Sequence, residues 1–431
     1  MKTVPLTDDR IDALSPVVRR FLRYVCVNTQ SDPDSDAVPS TERQKDLGRM
    51  LERELSDTGL TNVAMDRNGY VYATLPGRGP AAATRLGLLA HVDTSADAPG
   101  DVTPYVHFSY DGRAFSLPGD AEVRVDPDRN PALRDHVGDD LITSDGTSLL
   151  GSDDKAGVAV LMQLAEDLAS DPSSARPELR FCFTVDEETG RGVDHLDLER
   201  FGADIAYTID GGGTDAIYVE TFNAAEAVLS VHGITVHPGY AKGIMVNAAR
   251  ILAHVLAQLP DDEAPEATSG RQGYIHLHRI DASDAAHARA RMILRDFTRE
   301  GLLRKKEFLE AVVESTRNAH PNASFSLDIQ DQYRNMRSYI EGNDPRVIRF
   351  AHRAADVLDL DLEERLIRGG TDGARLSEIG VPTPNLFNGG HDFHSRFEWN
   401  SVQGIEHALE YVKTLVKYWG EHGAEHGGEP A

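Results

Sequence analysis

Two histidines and a handful of carboxylates are the residues of this chain with the most chemistry to offer. His91-Val92-Asp93, Asp153-Asp154-Lys155, Asp186-Glu187-Glu188 and Asp210 each follow or adjoin an apolar, strand-like run, and His394 lies near the C-terminus. Imidazole mixed with carboxylate suits divalent zinc, cobalt or manganese. The runs Leu86–Ala90, Leu179–Val185 and Asp204–Ile209 lead straight into His91, Asp186 and Asp210. In open α/β sheets, chemistry collects at the carboxyl ends of strands. Three such clusters on consecutive strand ends form one pattern.

Taken singly, each cluster has a structural explanation. A strand-end His can be a satisfied core residue, Asp153-Asp154 a helix cap, Asp186-Glu187-Glu188 a solvated turn, Asp210 a turn residue and His394 a loop side chain. Taken together and in order, they have the parts of a two-metal site. Such a site needs a bridging carboxylate, terminal ligands on each ion and a base for the water between them. Adjacent Glu187 and Glu188 can divide ligation and proton transfer. Asp93, two residues beyond His91, can accept the other imidazole N–H and fix the tautomer.

The elements that must position these residues can be read from periodicity. Residues 11–28 and 41–57 have amphipathic helical spacing, and Val63–Met65 and Tyr70–Leu75 read as strands around an Asn68-Gly69 turn. Residues 97–140, rich in Asp, Pro and Gly, read as a long irregular insertion. From Asp154 onward, Val158, Leu161, Leu164, Ala165 and Leu168 mark a helix whose first carboxylates can cap free N–H groups. Alternating strands and helices up to Asp210 predict an α/β domain with a mostly parallel sheet.

The pattern changes after Gly211-Gly212-Gly213. Strand signals at 227–231, 274–280, 288–295 and 324–329, with helices at 246–259 and 298–317, give a β-α-β-β-α-β order. That is the ferredoxin-like plan. The expectation is a catalytic domain made of residues 1–222 and 338–420, split by an inserted α+β domain at 223–337. A helix is predicted at 345–358, and residues 421–431 are expected to be disordered.

At 431 residues the chain exceeds one ordinary core. No apolar run reaches the roughly 20 residues of a membrane span, and the N-terminus lacks the apolar segment of a secretion signal. Two cysteines, Cys26 and Cys182, lie in apolar surroundings, so buried thiols in a reducing cytoplasm are expected and a thiolate metal site is excluded. A net charge of −26 argues against nucleic acid and anionic membrane as partners.

The segments Ala90–Ser95, Gly151–Gly157, Asp186–Glu188, Ile209–Gly213, Ile367–Gly373 and Pro384–Phe387 together resemble peptidase T, the tripeptide aminopeptidase branch of the M20 zinc metallopeptidases. The small-domain run His237–Gly243 points to the same branch, and the likeness extends from about residue 10 to about 419. It implies two Zn2+ per subunit, with Co2+ or Mn2+ as substitutes, acting on tripeptides in a cytoplasmic monomer or homodimer. By position, Asp153 would bridge the metals, with His91 and Asp210 on one and Glu188 and His394 on the other. Glu187 would be the general base, Asp93 the orienter of His91, and the Asp153–Asp154 peptide bond cis. His237 would stabilise the oxyanion, and Arg295, Arg368 and Asn335 would hold the substrate. His391 departs from the family pattern and is a second candidate ligand; the spacing to Glu398 favours His394. The alternatives are another M20 hydrolase (dipeptidase, carboxypeptidase or deacylase) and a non-catalytic descendant that binds peptide or metal.

Overall fold

A computed structural model describes residues 1–282 and 284–424. It divides into two compact units, one of Met1–Val219, Ser338–Arg365 and the chain from Thr371, the other of Glu220–Arg337 and Leu366–Gly370. The segment Leu366–Gly370, assigned above to the catalytic domain, therefore groups with the smaller unit. The reason is local: Arg368 donates to the carbonyls of Gly270 and Gln272 and to Thr268 Oγ1.

In the larger unit, an eight-stranded sheet has the order Glu363–Ile367, Ala216–Thr221, Asn385–Phe387, Ile205–Gly211, Arg85–His91, Glu178–Thr184, Val71–Leu75, Thr61–Met65. The central pairings, Ile205–Gly211 with Asn385–Phe387, Ile205–Gly211 with Arg85–His91, and Arg85–His91 with Glu178–Thr184, are parallel. The flanks add antiparallel neighbours. The parallel centre reads as continuous apolar runs because both faces are covered: Leu86, Leu88, Leu89, Phe181, Phe183, Ala206 and Ile209 are all buried. The Ser152–Ser170 helix is buried along most of its length. Gly157 allows it to seat, because a Cβ there would stand 2.4 Å from Asp154 Oδ1 and 2.4 Å from the Ile209 carbonyl oxygen.

Residues 97–140 are more ordered than their composition predicts. Tyr105–Phe108 joins Lys2–Pro5, Leu141–Thr143 and Trp399–Ser401 in a second, four-stranded sheet. Tyr110, Leu117, Val123, Val125 and Leu133 pack with Leu141 and Trp399 in a separate core. A segment rich in Asp, Pro and Gly thus encloses apolar residues that pack against Trp399, more than 250 positions away. The C-terminal helix Val402–His422, absent from the sequence reading, buries Ile405, Leu409, Val412, Val416 and Trp419. It extends to His422, two residues into the segment expected to be disordered; residues 425–431 lie outside those described. Cys26 is exposed rather than buried, because it ends the Pro16–Val25 helix.

The smaller unit has the strand order Tyr274–Asp281, His287–Asp296, Asn223–His232, Ser324–Tyr333, every neighbour antiparallel. The Ala248–Leu256 and Arg299–Ala319 helices supply Ile251, Leu252, Leu309 and Val313 to its core, against Leu229, Val231, Met292 and Leu294. This is the β-α-β-β-α-β plan in space.

Candidate metal centre

The parallel strands end at the chemistry. His91 closes the Arg85–His91 strand, Asp210 is the next-to-last residue of Ile205–Gly211, and Asp186 lies two residues beyond Glu178–Thr184. Asp153 and Asp154 enter from the first turn of the Ser152–Ser170 helix, where both have non-helical backbone angles and the bond between them is cis.

Asp153 lies between the two imidazoles. Its Oδ1 is 2.9 Å from His91 Nε2 and its Oδ2 is 3.2 Å from His394 Nε2. Asp210 Oδ1 is 3.4 Å from His91 Nε2, and Glu188 Oε2 is 2.8 Å from His394 Nε2. One carboxylate thus faces both histidines, and one further carboxylate flanks each. Potential ligand atoms of His91, Asp153 and Glu188 lie within 4.8 Å of one another, as do those of His91, Asp154 and Asp210. Asp154 is already engaged: its oxygens accept from the His91 and Gly157 amides and from Asn388 Nδ2.

The electrostatics favour positive charge at this cluster. Burial, then Asp153, push Glu188 up to about 8, and burial raises Asp210 to about 6. Burial followed by Asp210 holds Glu187 well above the usual carboxylate range. Burial opposes charge on the histidines, yet Asp153 and Asp210 hold His91 well above its ordinary value, and Asp153 and Glu188 raise His394 to about 12. Glu188 Oε1 is buried with no hydrogen-bond partner among the described residues. So many buried carboxylates are costly without compensating positive charge. The donor set, imidazole and carboxylate with no thiolate, fits divalent metal, for which His91, Asp153, Glu188, Asp210 and His394 are the candidate ligands.

Asp93 differs from expectation in detail. His91 Nδ1 is 3.0 Å from the Asp93 backbone carbonyl and 3.4 Å from its carboxylate. The carboxylate instead accepts the amides of Glu187, at 3.0 Å, and Glu188, at 3.2 Å. Asp93 therefore orients the imidazole through its main chain and the glutamate pair through its side chain. Asp186 holds the same turn from behind, in the left-handed region at φ 61°, accepting from Ser40 and Gln44. Ser40 and Gln44 have no local sequence signal as site residues; they lie more than 140 positions from Asp186.

His391 is not among the converging candidate ligand groups found in the described residues. Its ring stacks on Trp399 at 4.1 Å, with His136 edge-on at 5.4 Å, and burial lowers its pKa to about 3. Glu398 proves more important than its use as a spacing marker implied. It is buried and accepts the amides of Leu150, Gly151 and Asp153. Asp97 stands 3.4 Å from His394 Nδ1. Asp372, buried beside Thr184, is a further carboxylate close enough to raise Glu187. A cavity of about 1210 Å³ lined by Thr84, Asp204, Asp344 and Arg346 lies at the opposite ends of the strands and contains none of these residues.

The remaining expected site residues belong to the smaller unit. His237 precedes the short Pro238–Tyr240 helix and its Nδ1 accepts from the Gly239 amide. Arg295 donates to the Arg368 carbonyl, its Nε is buried without a partner, and its guanidinium lies over Tyr274 and Tyr333. Arg368 is committed to the 268–272 loop and lies over Phe222 and Tyr274. Asn335 spends its amide on Glu220 and the Phe297 carbonyl, and its oxygen accepts from Arg337.

Comparison with known proteins places this geometry in a family. Residues 219–323 match the model described as a peptidase dimerisation domain of the M20 type. The solved aminopeptidase PepT from Bacillus cereus shares the fold with a TM-score of 0.71 at 22% identity, covering 94% of this chain and 99% of its own. The YXEP protein of Bacillus subtilis, described as a dinuclear metal-binding peptidase of the M20 family, superposes with a TM-score of 0.63 at 13% identity, covering 93% and 96%. Peptidase T of Bacillus subtilis is 42% identical over 404 residues, spanning 93% of this chain and 98% of its own length. On that similarity, the chain belongs to the peptidase T family of M20 peptidases.

Proposed function

We propose that this protein is a di-zinc aminopeptidase that removes the N-terminal residue from tripeptides. The observation that carries the reading is Asp153, with one carboxylate oxygen toward each imidazole and a further carboxylate beside each. Two divalent ions bound there would polarise the scissile carbonyl and acidify a water between them.

Glu187 is the proton carrier in this reading. It stands outside both groups of converging ligand atoms, whereas Glu188 belongs to one. Its backbone is fixed by Asp93, so its carboxylate has a defined place from which to take a proton from the attacking water and return it to the leaving amine. His237 is assigned to the developing oxyanion. Arg295 and Arg368 are assigned to the substrate carboxylate; neither forms an ion pair among the described residues. Asn335 acts through the Glu220–Asn223 segment that it holds.

The test is hydrolysis of matched alanine di-, tri- and tetrapeptides, before and after chelation. Preference for the tripeptide, lost on chelation and restored by zinc, cobalt or manganese, is expected. Full activity in protein shown by elemental analysis to be metal-free would overturn the reading.

A further inference from the structure

Glu398 is one of the most deeply buried carboxylates in the larger unit, at 1% exposure, yet no lysine, arginine or histidine forms an ion pair with it among the described residues. Its partners are main-chain amides. Oε2 accepts from Leu150 and Gly151 at 2.8 Å each, and Oε1 accepts from Asp153 at 3.1 Å. These donors span the turn that delivers Asp153, including Gly151 in the left-handed region at φ 77°. Glu398 also ends the turn that begins at His394. Its amide donates to the Ser395 carbonyl, Ser395 Oγ donates to the Asp392 carbonyl, and Trp399 then pairs with Thr143.

One buried carboxylate therefore joins two loops that are far apart in sequence, and each loop carries a ligand next to the junction. We propose, resting on the di-metal reading above, that Glu398 is a positioning residue that sets the Asp153–His394 separation and so the affinity for the metal these two share. The chemistry demands a carboxylate. All three partners are N–H donors, so a glutamine would turn its own NH2 toward at least one of them. Hydrogen bonds to charged acceptors are also the stronger kind. Groups that orient ligands from behind commonly change metal affinity about 10- to 100-fold when removed.

The experiment is titration of zinc against a competing chelator in the full chain, comparing wild type, Glu398→Gln, Glu398→Asp and Leu415→Ala. Leu415 is buried in the C-terminal helix and makes no part of the site. Glu398→Gln is expected to weaken one zinc by about tenfold or more. Excess zinc should recover its turnover with KM unchanged. Leu415→Ala should lower the melting temperature while leaving zinc affinity at the wild-type value. Glu398→Asp keeps the charge and should fall between wild type and Gln; if Gln does not fold, a weakened zinc in Asp is the deciding result. Wild-type zinc affinity in Glu398→Gln or Glu398→Asp would overturn the proposal, as would an equal loss in Leu415→Ala. The wild-type stoichiometry separately judges the di-metal reading, since the role of Glu398 is read from the difference between proteins.

Discussion

The Asp93 carboxylate grips Glu187 by its backbone amide, at 3.0 Å, and leaves the glutamate side chain free. Position and proton affinity are thereby set by different neighbours: Asp93 fixes the main chain, while burial and Asp210 raise the carboxyl.

That division makes Glu187→Gln informative. The variant keeps shape and anchoring but cannot accept a proton, so turnover should fall by about 10²- to 10⁴-fold. Elemental analysis should find the metal content nearly unchanged. Glu188→Ala and His394→Ala should instead lose metal. An active, remetallated Glu187→Gln protein would require the two glutamates to exchange roles.

Metal binding should release protons. Glu188, Asp210, His91 and His394 are all raised in the metal-free fold, so at these four groups the folded state holds more protons than the unfolded chain. By linkage, stability of the metal-free protein falls as pH rises from about 4 to about 8, and zinc must displace those protons. Calorimetric titration at pH 7 in two buffers of different ionisation enthalpy should show net proton release, and the melting temperature of metal-free protein should decline across that window. Buffer-independent heats would contradict this.

His107 gives the opposite slope, well away from the site. It is buried between Thr3 and Thr143, and burial lowers it to about 4. The unfolded chain takes up a proton near pH 6.5, so stability held above that value is lost as pH falls toward 4. The cost is on the order of 3 kcal/mol at full protonation. Metal-loaded His107→Gln, although less stable at neutral pH, should show a flatter loss of melting temperature between pH 6.5 and 4.

Arg295 is the better of the two proposed carboxylate binders, because its Nε has no partner among the described residues while Arg368 is committed to three hydrogen bonds. A charge-assisted contact is worth about 1.5–3 kcal/mol, or roughly ten- to a hundredfold in rate. C-terminal amidation of a tripeptide should slow wild type by that factor, and Arg295→Ala should cleave free acid and amide at similar rates. Equal wild-type rates on both would remove Arg295 from substrate binding.

Gly157→Ala would force a methyl group to 2.4 Å from both Asp154 Oδ1 and the Ile209 carbonyl oxygen. Overpacking of this kind costs about 1–3 kcal/mol. The variant should melt earlier and bind zinc less tightly, since Asp154 supports the His91 amide.

What could be read from the sequence follows from how local each signal is. The parallel strands are continuous apolar runs ending in acids, and the helix after Asp154 repeats every three or four residues, so both can be read within a short window. The same holds for the alternation in the smaller unit. The four-stranded sheet is hidden because its strands are three or four residues long and pair across gaps such as Trp399 with Thr143. Asp93 shows the same limit at the site: a carboxylate two residues from a histidine looks like its partner, yet it serves amides 94 and 95 positions away. The stacking of His391 on Trp399 likewise has no local sequence signal.

The order in which the ligands occur along the chain has a consequence for synthesis. His91, Asp153, Glu188 and Asp210 all precede the smaller unit, whereas His394 follows it, 241 residues after Asp153. A ribosome that has made the first half of the protein has therefore produced every proposed ligand of one metal and all but His394 of the other's. Domains generally fold as units, N-terminal first. The nascent chain can gather its early carboxylates, but on the proposed ligand set peptide hydrolysis must wait for His394, in the last tenth of the sequence. The insertion thus delays completion of the hydrolytic centre until translation is nearly finished.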